Sequence, residues 1–217
     1  AVTTAATLTG VENVTVVANN NDDAANEAVT LNMAGATELT TVNTGAADDN
    51  ANGSVITLTK LVATATTLNM NGEGATADQM LDTASLTLAV STGTADALTV
   101  NVTNIDAAGN VITPTTLGVQ LTGALTATGI ETLAINSAAL GGDTLLTTAA
   151  NADGGVALTV TDTALKTLTV TGSTLVDLDG SALSATVKTV DAAATTGGVF
   201  IDGSLIADTT TSAAGGT

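Results

Sequence analysis

Short runs in which apolar residues alternate with Thr, Ser or Asn recur along almost the whole chain. Examples are Val14-Thr15-Val16 and Leu98-Thr99-Val100. Because successive side chains of a strand point to opposite faces, each run predicts a half-buried β-strand. Most runs end in Gly, Asn, Asp or Ser, which form turns. The predicted fold class is therefore all-β, and the segment 74–84 is the best candidate for one or two turns of helix.

The core of such a fold has to be built without large side chains. The chain has 217 residues and a hydrophobic fraction of 44%, but Phe200 is its single aromatic residue. A buried aromatic side chain contributes about 150–250 Å² of buried area in an ordinary globule. Ala, Val, Leu and Ile instead favour a narrow core, one or two side chains wide, that repeats along an axis.

Two pairs of segments repeat imperfectly. The segment 10–16 (GVENVTV) reappears as 129–135 (GIETLAI), and 38–45 (ELTTVNTG) resembles 165–172 (LKTLTVTG). We therefore expect a first β-repeat block over 1–122 and a second block over 123–208 that continues the same fold. A linker-like tail follows over 209–217.

A finer repeat places Asp directly after an apolar residue at the end of a strand. It occurs at Asp179, Asp191 and Asp202, which lie 12 and 11 residues apart. A strand, an Asp turn and a second strand form the repeating pattern of a parallel β-solenoid (β-helix) of short strands. Neighbouring coils of such a fold stack and so bury their apolar faces. At ~20 residues and ~4.8 Å per coil, the chain would form roughly ten coils.

Two antiparallel β-sandwich domains of about 100 residues each are the alternative architecture. Their hairpins are typically closed by Asn-Gly or Asp-Gly turns. Asn52-Gly53 and Asn71-Gly72 fit this alternative, whereas Asp179-Gly180 and Asp202-Gly203 fit either architecture.

The charge balance excludes several classes of function. With 21 acidic residues against three lysines, the net charge is −18, which repels nucleic acid and anionic membrane surfaces and attracts cations.

No run of about 18 apolar residues is present that could span a membrane. Without His or Cys, neither a Ser-His-Asp nor a Cys-His arrangement can be built. We expect no enzymatic activity.

Calcium is the cofactor that the sequence favours. Ca²⁺ takes six to eight oxygen ligands from carboxylates, carbonyls and water, and three acidic clusters offer such oxygens. The alternative is that these clusters form solvated turns that block sheet edges. The candidate ligands are Asp22, Asp23, Asn26 and Glu27; Asp48, Asp49 and Asn50; and Asp177 and Asp179.

The segment 165–204 (LKTLTVTGSTLVDLDGSALSATVKTVDAAATTGGVFIDGS), together with the two Gly-apolar-Glu openings, resembles the β-strand repeats of RTX-type bacterial S-layer proteins and large repeat adhesins. The resemblance implies type I export, calcium-dependent order and assembly into a two-dimensional lattice. The calcium nonapeptide of that group is not present in full, and 141–145 (GGDTL) is only a remnant of it. Calcium is therefore expected in irregular acidic loops.

Three hypotheses of function follow. The first is a secreted structural subunit of an extracellular bacterial surface array, an S-layer or filament that assembles laterally by self-association. The second is an RTX-type adhesin segment that binds a host or neighbouring surface, with cell-surface polysaccharide as a candidate partner. The third is an ice-binding solenoid, because Thr-x-Thr triplets such as Thr159-Val160-Thr161 can align into a flat face.

Overall fold

The structure is a computed structural model that describes residues 2–4, 8–18, 28–46, 55–61, 65–71, 83–88, 95–103, 120–137, 155–185, 187–202 and 212–215. Within these ranges the regular elements are all β-strands and no helix occurs, so the all-β prediction is confirmed. Of the helix candidate 74–84, only residues 83 and 84 are described, and they begin a strand.

Successive strands alternate between two sheets until the last coils. Sheet 1 contains, in spatial order, β1 (Val2–Thr4), β3 (Ala28–Asn32), β5 (Val55–Leu61), β7 (Thr83–Leu88), β9 (Gln120–Thr128), β11 (Gly155–Asp162), β13 (Val176–Asp177) and β16 (Val199–Phe200), with β14 (Ala182–Leu183) also on β11. Sheet 2 contains β2 (Asn13–Ala18), β4 (Thr41–Ala46), β6 (Ala65–Asn71), β8 (Ala97–Thr103), β10 (Thr132–Ser137), β12 (Thr167–Gly172), β15 (Thr189–Ala192) and β17 (Ser212–Gly215).

Every pairing between these strands is parallel. Parallel neighbours require a crossover connection, here supplied by the strand of the opposite sheet, so the chain winds as a coil. The parallel β-solenoid is confirmed. The antiparallel sandwich pair is wrong for the described part of the chain, because sandwiches are built from antiparallel sheets.

The coils are longer and less regular than expected. In sheet 2 the sequence separation between register partners in adjacent coils varies from 22 to 35 residues. Thr167 and Thr189 are 22 residues apart, and Thr132 and Thr167 are 35 apart. The expectation of ~20 residues per coil is wrong because the segments between strands vary in length while the strands stay short. Within the described residues, sheet 2 has eight strands where roughly ten coils were expected.

The core lies between the two sheets and is made of aligned aliphatic residues. In sheet 2, Leu68, Val100, Ile135 and Val170 occupy one register column and each is 0% exposed. A ladder of similar branched side chains fills a narrow interior without aromatic rings. The one aromatic residue, Phe200, lies outside that core and is 48% exposed.

The two Gly-apolar-Glu openings occupy equivalent corners of the solenoid. Gly10 and Gly129 adopt φ values of 65° and 85°, a left-handed conformation that favours glycine. The carbonyl oxygens of Glu12 and Glu131 each accept two backbone N–H groups from the next coil, at 2.8–3.1 Å. Each opening therefore turns the chain into a strand of sheet 2.

The second repeat is offset by one residue from its sequence alignment. Aligning 38–45 with 165–172 places Val42 beside Thr169, but the strand register puts Val42 in the column of Val170. Side chains alternate with a period of two, so a one-residue slip would turn Val42 out of the core. Burial of the valine fixes the register.

The two sheets continue across the predicted block boundary. Strand β9 spans positions 122 and 123, and its neighbours β7 and β11 pair with it on either side. Strand β17, within the segment 209–217, pairs with β15. The division into two repeat blocks and a tail stays a prediction.

Candidate interaction surface

Four asparagines form a row along the outer face of sheet 2. Asn43, Asn69, Asn101 and Asn136 are register partners in four successive strands. The row is flanked by buried residues on the same strands, such as Val100 and Val102 beside Asn101. The period-two pattern therefore turns the amides outward.

The side-chain amides of this row bond to one another. Asn69 Nδ2 donates to Asn43 Oδ1 at 2.7 Å, and Asn101 Nδ2 donates to Asn69 Oδ1 at 2.7 Å. Asn136 Nδ2 donates to Asn101 Oδ1 at 3.3 Å. Stacked, in-register amides are known to stabilise parallel strands in this way. We call this row, with the threonine at each end of it, the Asn ladder.

The ladder ends in a hydroxyl group on each side. Asn43 Nδ2 donates to Thr15 Oγ1 at 3.4 Å, and Thr171 Oγ1 donates to Asn136 Oδ1 at 3.2 Å. Both threonines lie in the same register column as the asparagines. The chain of side-chain hydrogen bonds therefore crosses six consecutive strands of sheet 2.

A second polar column lies two residues before the ladder on each strand. It contains small or hydroxyl-bearing side chains and carries no charge over the five strands from β4 to β12. Its members, in register order, are Thr41, Thr67, Thr99, Ala134 and Thr169. Together with the Asn ladder it forms an uncharged surface that we call the Thr-Asn face.

Sheet 1 carries a comparable outer column. Thr30, Thr57, Ser85, Thr126 and Thr161 are consecutive register partners there. β-branched threonine fits a pleated outer face well, so strand preference by itself accounts for this column. The distinguishing feature of sheet 2 is the bonded Asn ladder.

The Thr-Asn face has a definite chemical character. Each interior amide of the ladder uses one N–H and one oxygen lone pair along the row and keeps a second N–H and lone pair for an outside partner. Neighbouring rungs are about 4.8 Å apart, as in any parallel sheet. The face therefore offers alternating donors and acceptors on an uncharged and periodic surface.

The predicted calcium ligands are only partly within the described residues. The clusters Asp22, Asp23, Asn26 and Glu27, and Asp48, Asp49 and Asn50, lie outside them. In the part that the structure describes, no three acidic, His or Cys side chains are grouped so that they could hold a metal ion. Calcium binding by these clusters stays a prediction.

Asp177 and Asp179 form a turn. Strand β13 ends at Asp177, whose Oδ1 accepts the backbone N–H of Asp179 at 2.9 Å. Asp179 Oδ1 in turn accepts the N–H of Gly180 at 3.0 Å. Each carboxylate thus has an oxygen engaged by the turn, and the pair alone supplies too few ligands for Ca²⁺.

The same Asp turn recurs at Asp191, where the sequence predicts it, and at Asp162. Asp162 Oδ1 accepts the N–H of Ala164 at 2.7 Å, and Asp191 Oδ1 accepts that of Ala193 at 3.0 Å. An aspartate that bonds the backbone two residues on forms an Asx turn. Of the aspartates singled out by the repeat, Asp191 therefore forms an Asx turn, whereas Asp179 accepts the N–H of the adjacent Gly180.

A buried acidic corner was missed by sequence reasoning. Asp96, Glu131 and Asp162 are 7%, 6% and 1% exposed, and the Oδ2 atoms of Asp96 and Asp162 have no hydrogen-bond partner. Burial, helped by the charge of Glu131, raises the pKa of Asp162 to about 6 against the lowering effect of the backbone N–H groups that it accepts. The Gly-apolar-Glu pattern is the same in both openings and so gives no sign that Glu131 is buried while Glu12 is exposed.

Comparisons with known proteins give no match. Neither a protein-family model, nor a curated protein, nor a solved structure matches the chain. Among the described residues, no helix is long and apolar enough to cross a membrane.

Proposed function

We propose that the chain is a secreted structural subunit of an extracellular bacterial surface array, and that copies associate laterally through the Thr-Asn face. The observation that carries the proposal is the Asn ladder: a neutral, hydrogen-bonding surface on a chain of net charge −18. Two such solenoids come together with least like-charge repulsion where uncharged surfaces meet. The outer column of sheet 1 is also uncharged, so it is the bonded amides of the Asn ladder that distinguish the Thr-Asn face as the side on which a neighbour packs.

The Thr-Asn face is suited to meeting a second copy of itself. Amides and hydroxyls are both donors and acceptors, so the surface is self-complementary in a two-fold arrangement. Both copies carry the same strand spacing, so one contact can repeat from rung to rung. Salt supports association, because the Debye length of about 8 Å at physiological ionic strength screens the remaining acidic charge.

Calcium is part of the proposal as a counter-ion for the acidic segments between strands. The support is the net charge of −18 with three lysines. A divalent cation that neutralises this charge lowers the self-repulsion of each subunit and of the assembly. Chelation with EGTA would then loosen the assembly, and an unchanged circular dichroism spectrum and particle size would contradict this part.

Negative-stain electron microscopy tests the structural role. The proposal predicts a regular sheet or filament whose spacing reflects packed solenoids, formed by the purified chain at raised concentration with calcium present. Isolated rods that never pack in order would contradict it. That result would favour the alternative of an adhesin segment, which binding to polysaccharide or host surfaces would then test.

Ice binding is a second candidate, favoured by one observation. Thr41 with Asn43, Thr67 with Asn69, and Thr99 with Asn101 repeat as a two-column lattice of polar groups on one face of sheet 2. Such a lattice could order a layer of water. Faceted ice crystals at micromolar protein would support this function, and round, unshaped crystals would exclude it.

A further inference from the structure

The acidic corner contains a buried carboxyl group that is only partly compensated. Asp162 ends β11 and is 1% exposed, and its Oδ1 accepts the N–H of Ala164 while its Oδ2 has no partner. A carboxylate oxygen that is buried without a hydrogen bond is costly when the group is ionised. Protonation removes that cost.

The charge of Glu131 adds to this cost. Glu131, from the turn between β9 and β10, is 6% exposed, and its Oε2 accepts the N–H of Asp96 at 2.9 Å. Asp96, just before β8, is 7% exposed and has an unpartnered Oδ2. Three carboxyl groups thus occupy one edge of the solenoid in consecutive coils.

Two lysines lie at the same corner, and both are exposed. Lys166 Nζ is 3.9 Å from Glu131 Oε1, and the lysine side chain is 49% exposed, so the ion pair is weak. Lys188, in the next coil, donates its backbone N–H to Lys166 O at 2.9 Å and is exposed. Strand β14, which pairs with Asp162 through Leu183, carries no titratable group.

We propose that Asp162 is a proton-binding site, and that uptake of one proton there tightens the corner formed by the Glu131 turn and the Asp162 turn. In mild acid the neutral carboxyl keeps its turn-forming Oδ1 and no longer places a charge beside Glu131. At higher pH the ionised group weakens the packing of these coils. The solenoid then carries a local pH-dependent element that does not depend on lateral assembly.

The direction of the effect follows from the two protonation states. The pKa of Asp162 is about 6 in the folded chain and 3.8 as its ordinary value. The stabilising contribution of the bound proton is full below the lower value and is lost as the pH rises through the higher one. The melting temperature (Tm) should therefore rise as the pH falls from about 7.5 to about 5.

The test compares Asp162→Asn with Asp191→Asn in the 217-residue chain, with EGTA present to exclude metal effects. Asparagine keeps the turn, since Asn32 Oδ1 accepts the N–H of Ala34 at 3.1 Å in the same way. Asp191 forms the same turn but is exposed, so it is the matched control. Asp162→Asn should lose about 4 °C of the Tm change between these pH values, and Asp191→Asn should keep the wild-type change.

A direct titration keeps the proposal falsifiable if a variant folds poorly. Carboxyl ¹³C NMR of the wild-type chain should show Asp162 titrating with a midpoint near 6, and Glu131→Gln should lower that midpoint. A wild-type midpoint at the ordinary value of 3.8 would overturn the proposal. Parallel pH profiles of Tm for the wild type and both variants would overturn it equally.

Discussion

Asn101 Nδ2 donates to Asn69 Oδ1 at 2.7 Å across 32 residues of sequence. These two amides are the middle rungs of a ladder that crosses six strands, and they lie on an uncharged face of a chain of net charge −18. Their alignment depends on the register of every coil between β2 and β12. The ladder is therefore both a stabilising element and a sensitive reporter of the fold.

Removing a central rung should destabilise the solenoid. Asn69→Ala deletes one donated and one accepted amide bond, each 2.7 Å long. We expect a loss of about 1–2 kcal/mol in the free energy of unfolding, since a typical hydrogen bond contributes about 1 kcal/mol net. Urea denaturation measures the change. Thr67→Ala, on the same strand and face but outside the ladder, is the control, and an equal loss there would argue against a role for the amides.

Gly172 cannot accept a side chain. A Cβ at this position would lie 1.9 Å from the carbonyl oxygen of Ser137, and its φ is +116°. Gly172→Ala should cost about 3 kcal/mol or more, because strain at positive φ and steric overlap both oppose it. Gly180, with φ +79° and nothing within 4 Å of its Cβ, separates the two causes. Gly180→Ala should cost only about 1–2 kcal/mol, and thermal denaturation that ranks the two variants in reverse would refute this explanation.

The side chain of Ser181 takes the place of a neighbouring strand for part of β11. Between β13 and β14, its hydroxyl accepts the N–H of Val160 at 3.0 Å and donates to Leu158 O at 3.3 Å. Ser181→Ala would leave both buried backbone groups of β11 without partners, at a cost of about 2–3 kcal/mol. Ser173→Ala, at an exposed position, should change stability by less than about 0.5 kcal/mol. Hydrogen exchange at Val160 that is as slow in Ser181→Ala as in the wild type would contradict this role.

The strands and Asp turns could be predicted from the sequence because both are local. Period-two alternation identifies runs such as Leu98–Val102, and an Asp after an apolar residue predicts the turn at Asp191. Coil length could not be predicted, because it depends on which distant strands pair. The Asn ladder could be predicted from the sequence only in part. Asn43, Asn69 and Asn101 each follow an apolar residue inside a strand, which places them on the outer face. Their alignment depends on pairing between residues 26 and 32 positions apart in sequence.

The burial of Asp162 in the acidic corner also could not be predicted from the local sequence. Asp162 has the local sequence of an ordinary turn-forming aspartate, as Asp191 does. Its burial arises because the turn of Glu131 in the preceding coil packs over it, 31 residues away in sequence. The local sequence pattern therefore cannot distinguish the exposed Asp191 from the buried Asp162.

The most direct test of the proposed function is a sedimentation comparison of two double variants that add the same charge. Thr41→Asp with Thr99→Asp charges the Thr-Asn face and leaves the amides of the Asn ladder in place, and Thr37→Asp with Ser173→Asp adds two charges at exposed corner positions. If copies associate through the Thr-Asn face, the first variant should stay monomeric at concentrations where the wild type and the second variant assemble. Assembly of the face variant to the same extent as the corner variant would contradict the account.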